Sequence, residues 1–70
     1  MKIAVIRKRL VELGVPESEI KVKYAAGRTP HVCILTTGVQ YTCVAAPIDD
    51  EQDEAFAEHL LRERNKARTK

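Results

Sequence analysis

Residues 31–46, HVCILTTGVQYTCVAA, constrain the fold more than any other stretch. Two apolar runs containing β-branched residues flank Thr37-Gly38, and a glycine between two such runs signals a β-hairpin. A hairpin alone is marginal in water, so the flanking segments must cover one of its faces.

A two- or four-residue turn at Thr37-Gly38 pairs Leu35 with Gln40 and Ile34 with Tyr41. Val32, Ile34, Val39, Tyr41 and Cys43 then share a core face, and His31, Cys33, Leu35, Gln40, Thr42 and Val44 share the other. Cys33 and Cys43 fall on opposite faces in this register and cannot bridge. A three-residue loop shifts the pairing by one and can set the thiols opposite each other. The first register is the expected one, because it gathers the larger apolar set on one side.

The segments on either side supply the cover. Ile3, Ile6, Leu10 and Leu13 recur at helical spacing, which predicts a helix over residues 2–13. Gly14 sits where a helix ends in the left-handed conformation, with Pro16 just beyond. A strand over residues 1–6 competes, but the helical period continues to Leu13. After a turn at residues 16–19, residues 20–26 alternate, with Ile20, Val22, Tyr24 and Ala26 on one face and Lys21, Lys23 and Ala25 on the other. Pro47 closes the last strand. Asp49 and Gln52 then resemble a capping box that opens a second helix, with Phe56, Ala57 and Leu60, extended by Ala67, as its buried stripe. The acidic run at 49–54 and the basic residues from Arg62 onward complement the two ends of that helix dipole.

The predicted fold is therefore α+β: one small domain over residues 1–70, α-β-β-β-α, with a three-stranded antiparallel meander covered on one face by two helices. The core comprises Ile3, Ile6, Leu10, Val22, Tyr24, Ile34, Tyr41, Phe56 and Leu60, and the basic tail at about 66–70 is free to fray. Seventy residues leave no room for a second domain.

Composition narrows the function classes. With 44% hydrophobic and 31% charged residues the chain has a folded protein's balance. Its aromatic residues, Tyr24, Tyr41 and Phe56, are too few for a base-stacking platform. The formal net charge is +2, but basic residues concentrate in residues 1–28 and in the tail, and acidic ones in 49–54. No run approaches the ~18 apolar residues of a membrane span. The start is basic, but its apolar run is broken after Ile6 by Arg7-Lys8-Arg9, so it reads as no signal peptide. Two cysteines match neither a disulfide framework nor a zinc pattern, and read as reduced thiols of a cytoplasmic protein. No Ser/His/Asp set, phosphate loop or metal cluster occurs, and no cofactor is expected.

The order of elements resembles two families. Over residues 2–66 it is similar to the double-stranded-RNA-binding domain, which presents lysines to phosphates at the start of its second helix. Asp49, Asp50, Glu51, Asp53 and Glu54 occupy that place here and would repel a duplex. Gly27-Arg28-Thr29-Pro30-His31 and TTGVQYTCVAAP resemble HicA-like messenger-RNA interferase toxins, whose glycine-serine-histidine signature leads into the second strand. The spacing here is longer. That resemblance implies a ribonuclease with His31 as its catalytic residue; His59 reads as an amphipathic side chain at the edge of the core.

Three functions follow. The expected one is a non-enzymatic binding protein that docks on nucleic acid or on a nucleic-acid-handling protein complex. In size and charge pattern it resembles bacteriophage or mobile-element accessory proteins, including anti-CRISPR inhibitors. Its candidate binding residues are Arg7, Lys8, Arg9, Lys21, Lys23, Arg28, His31, Leu35, Gln40, Arg62, Arg64 and Lys66, the cations pairing with phosphates or carboxylates. The second is the His31 ribonuclease. The third is a self-associating module, a homodimer through the 39–46 edge or the open sheet face.

Overall fold

The computed structural model describes residues 2–24 and 26–69. In chain order it contains α1 (Ile3–Glu12), a 3-10 turn (Glu17–Glu19), β1 (Ile20–Lys23), β2 (His31–Thr37), β3 (Gln40–Ala45), a second 3-10 turn (Asp50–Gln52) and α2 (Asp53–Arg68). The strands form one antiparallel sheet in the order β1-β2-β3. The α-β-β-β-α order and the α+β class are those predicted.

The hairpin differs from the expected one in register. Its loop is Gly38-Val39, and Gly38 has φ +55° at the first loop position, where a type II′ hairpin needs a left-handed residue. Thr37 therefore pairs with Gln40. A bulge between Leu35 and Thr37 then leaves Thr36 as an extra residue on β2. Beyond it Leu35 pairs with Tyr41, Ile34 with Thr42, Cys33 with Cys43, Val32 with Val44 and His31 with Ala45.

This one-residue shift carries each β3 side chain to the face opposite the expected one. Tyr41 and Cys43 lie on the open face rather than in the core. Thr42 and Val44 point towards the helices: Val44 packs on the core, and the Thr42 hydroxyl is hydrogen-bonded to that of Thr36. Val39, expected in the core, is 91% exposed in the loop. Cys33 and Cys43, expected reduced and on opposite faces, are joined by a disulfide.

Four further expectations change. Regular pairing ends β1 at Lys23, short of the predicted 26; Ala25 lies outside the described residues. Tyr24, beyond the strand end, is 76% exposed rather than buried. Asp49 caps the 3-10 turn, accepting a hydrogen bond from Glu51 N–H at 3.0 Å, and α2 begins only at Asp53. Ala67 is exposed, because the C-terminal end of α2 extends past the apolar core.

The core unites Ile6 and Leu10 of α1, Phe56, Ala57 and Leu60 of α2, and Ile20, Val32 and Ile34 of the sheet. Both helices thus cover one sheet face. Val15 belongs to the same core at 1% exposure. Its place follows from how α1 ends. Gly14 adopts φ +99°, Gly14 N–H donates to the Val11 carbonyl at 3.0 Å, and Val15 N–H donates to the Leu10 carbonyl at 2.9 Å. That pair of bonds is the Schellman motif, which turns the residue after the glycine back onto the helix.

Candidate functional site

With both helices on one side, the other face of the sheet has no element of the described chain over it. The register lays out its side chains in rows: Lys23, His31 and Ala45; then Lys21, Cys33 and Cys43; then Leu35 and Tyr41. The alternation of β1, clean in the sequence, places both lysines here.

Lys21 does more than line the face. Its ammonium lies 5.0 Å from the centre of the Tyr41 ring, within cation–π range. Lys21 is on β1 and Tyr41 on β3, so the side chain crosses β2 at Cys33. The small cysteine leaves room for that crossing, and Cys33 is only 1% exposed although it points away from the helices. Cys43 beside it remains exposed. Leu35, Tyr41 and His31 are half-buried, Lys23 is exposed, and Arg28 is exposed in the loop that joins Lys23 to His31. The face is cationic at that end and apolar towards Leu35 and Tyr41.

Of the predicted binding residues, Lys21, Lys23, His31 and Leu35 come together on this face, with Arg28 at its rim. Gln40 does not join them. It is exposed beside the hairpin loop, and the alternation of β3 turns it away from Tyr41. Arg7, Lys8 and Arg9 are on α1, on the helical side of the sheet. Arg9 lies 3.9 Å from both Glu12 and Glu58, so this patch carries both signs of charge. Lys8 and Arg9 share with Val5, Glu12 and Glu54 a surface cleft of about 390 Å³. Arg62 and Lys66 are exposed on α2, and Lys66 lies 3.8 Å from Glu63.

Arg64 has a structural role. It is buried, and its guanidinium donates to the Leu35 carbonyl at 3.5 Å and to the Asn65 side-chain oxygen at 3.0 Å. One turn later Arg68 donates from Nε to the Thr36 carbonyl at 2.6 Å. The two acceptors are the carbonyl just before the bulge and that of the extra residue itself, where the regular ladder is disturbed. Two arginines four positions apart on α2 thus clamp the irregular part of β2. Burial, reinforced by the charge of Arg68, lowers the pKa of the Arg64 guanidinium, with Glu19 acting in the opposite direction. A guanidinium nevertheless remains protonated in proteins.

His31 and His59 are not brought together: His31 is on the open face and His59 is exposed on α2, across the sheet. Among the described residues no three His, Cys, Asp or Glu side chains group as metal ligands would. Among them, too, no helix is long and apolar enough to cross a membrane.

Sequence reasoning missed Tyr41, Cys43 and Ala45 as members of the open face. Their spacing of two marks them as one face; the bulge decides which face that is. The fold and site define a small α+β chain with an open, partly cationic sheet face. In comparisons with known proteins, no family model, curated protein or solved structure matches it.

Proposed function

We propose that this chain is a non-enzymatic binding protein whose open sheet face docks on an acidic surface of a protein partner, such as a component of a nucleic-acid-handling complex. The observation that carries the reading is the convergence of Lys21, Lys23 and His31 with Leu35 and Tyr41 on the sheet face opposite the helices. Such a face sets an apolar end, Leu35 and Tyr41, beside a cationic one, so apolar burial and charge pairing can act on one partner together. A protein partner suits it better than a polynucleotide. Tyr41, its aromatic residue, is half-buried and has Lys21 over its ring rather than a free surface for a base. Asp49, Asp50, Glu51 and Glu54 add exposed negative charge elsewhere on the molecule.

The test compares capture from a host lysate by the tagged chain and by its Lys21→Glu/Lys23→Glu variant, each with and without nuclease. Capture that survives nuclease and is lost in the variant supports the reading. Capture abolished by nuclease transfers the face to nucleic acid, and capture that ignores the charge reversal removes the face from the interaction.

A further inference from the structure

We propose that the free edge of β3 pairs with β3 of a second copy, joining two sheets into one six-stranded sheet about a two-fold axis. The two edges of the sheet differ. β1 is four residues long and carries Lys21 and Lys23, and edge lysines discourage pairing. β3 is six residues long, and from Val39 to Ile48 the chain holds no charged residue. A two-fold along β1 would set lysines of both copies against each other; one along β3 brings no charges together.

The backbone of β3 suits such a partner. In an antiparallel ladder, residues alternate between pairs that exchange hydrogen bonds and closer pairs that do not. The Cα atoms of Cys33 and Cys43 are 4.0 Å apart, which marks a pair of the second kind. The end of the hairpin gives the same phase: Ala46 N–H donates to the Pro30 carbonyl at 2.9 Å, so Ala46, Val44 and Thr42 bond inward to β2. Tyr41, Cys43 and Ala45 therefore direct their N–H and C=O groups at the free edge.

These three residues are spaced evenly about Cys43, so an antiparallel copy centred on Cys43 meets them in register. Cys43 pairs with its own equivalent, and Tyr41 with Ala45 of the other copy, at each of two symmetric places. Both groups of all three residues are then bonded. On the open face the bulky Tyr41 ring lies beside a methyl group, and on the helical face Thr42 lies beside Val44. The match of large with small about a two-fold favours a second copy over an unrelated extended peptide, for which nothing sets the register. Cys43 is already bonded to Cys33, so the association is non-covalent.

Light scattering over a concentration series and amide hydrogen exchange test this on the intact chain. The expected mass is twice 7.9 kDa at high concentration, falling on dilution. The amides of Tyr41, Cys43 and Ala45 should gain protection with concentration while those of β1 do not. Ala45→Pro removes one edge donor on a strand that tolerates proline there, and should give a folded monomer. Ala45→Lys, which puts a charge at an already exposed position, serves if the proline variant does not fold, with the same expected monomer. A wild-type chain that stays monomeric at millimolar concentration overturns the proposal. So does a dimer that persists in the folded variants, or an unprotected Cys43 amide in a dimer.

Discussion

Reducing the Cys33–Cys43 disulfide should lower the stability of this domain by about 2.7 kcal/mol. The bond closes a chain segment with a sequence separation of 10. The loop-closure entropy it removes from the unfolded chain, evaluated for a loop of that length, gives about 2.7 kcal/mol at 25 °C. The folded side of the equilibrium changes little, because Cys33 and Cys43 are paired neighbours in the ladder with or without the bond. In a domain this small, 1 kcal/mol moves the melting temperature by roughly 4–8 °C, so reduction should lower it by about 10–20 °C. Thermal melts followed by circular dichroism, with and without a phosphine reductant, measure this directly. Cys43→Ser should reproduce the reduced value, since its side chain is exposed and the serine leaves no cavity. A melting temperature that reduction moves by less than about 3 °C would refute the reasoning, because the unfolded chain would then feel no constraint from the bond. Two free thiols in protein isolated without reductant would refute it at the outset.

Two other substitutions probe the supports of the sheet. Arg68→Ala should destabilise by about 1–2 kcal/mol, since a charged donor to the Thr36 carbonyl is lost from a partly solvated site; urea denaturation reads the change, and an effect below about 0.5 kcal/mol would show that the bulge needs no clamp. Gly14→Ala should cost about 1–2 kcal/mol through the backbone alone: Gly14 has φ +99° and nothing lies within 4 Å of the added methyl group, so a neutral substitution in the same assay would show that the end of α1 relaxes out of the left-handed conformation.

The parts of the fold legible in the sequence are those set by local periodicity. The stripe of Ile6 and Leu10 and the stripe of Phe56, Ala57 and Leu60 are buried as their helical spacing implies, and Lys21 and Lys23 share the face that β1 alternation gives them. Gly14 marked the end of α1 for the reason the structure displays, and the Schellman bonds also explain the burial of Val15, which periodicity alone passes over. Arg64 and Arg68 could not be told from the other tail cations. Their difference lies in two carbonyls on a distant strand, and a charge pattern carries no information about those.

The misreading of the hairpin has a single cause with several consequences. In a regular hairpin the numbers of paired residues have a constant sum, and a two-residue loop containing Gly38 makes that sum odd. Cys33 and Cys43 sum to an even number, so a regular hairpin of that kind separates them onto opposite faces whichever loop position Gly38 takes. The bulge at Thr36 changes the parity. It aligns the cysteines, moves Tyr41 under Lys21, and turns Thr42 and Val44 to the helical face, where Val44 packs on the core. The alternation set beyond the bulge also decides that Tyr41, Cys43 and Ala45, rather than Thr42 and Val44, face the free edge of β3. The bulge is also contacted by α2, where Arg64 and Arg68 bond the carbonyls of Leu35 and of the extra residue, Thr36. Residues 31–46 taken alone therefore lack contacts that hold this register in the folded chain, since two of them come from about thirty residues away, at the end of α2.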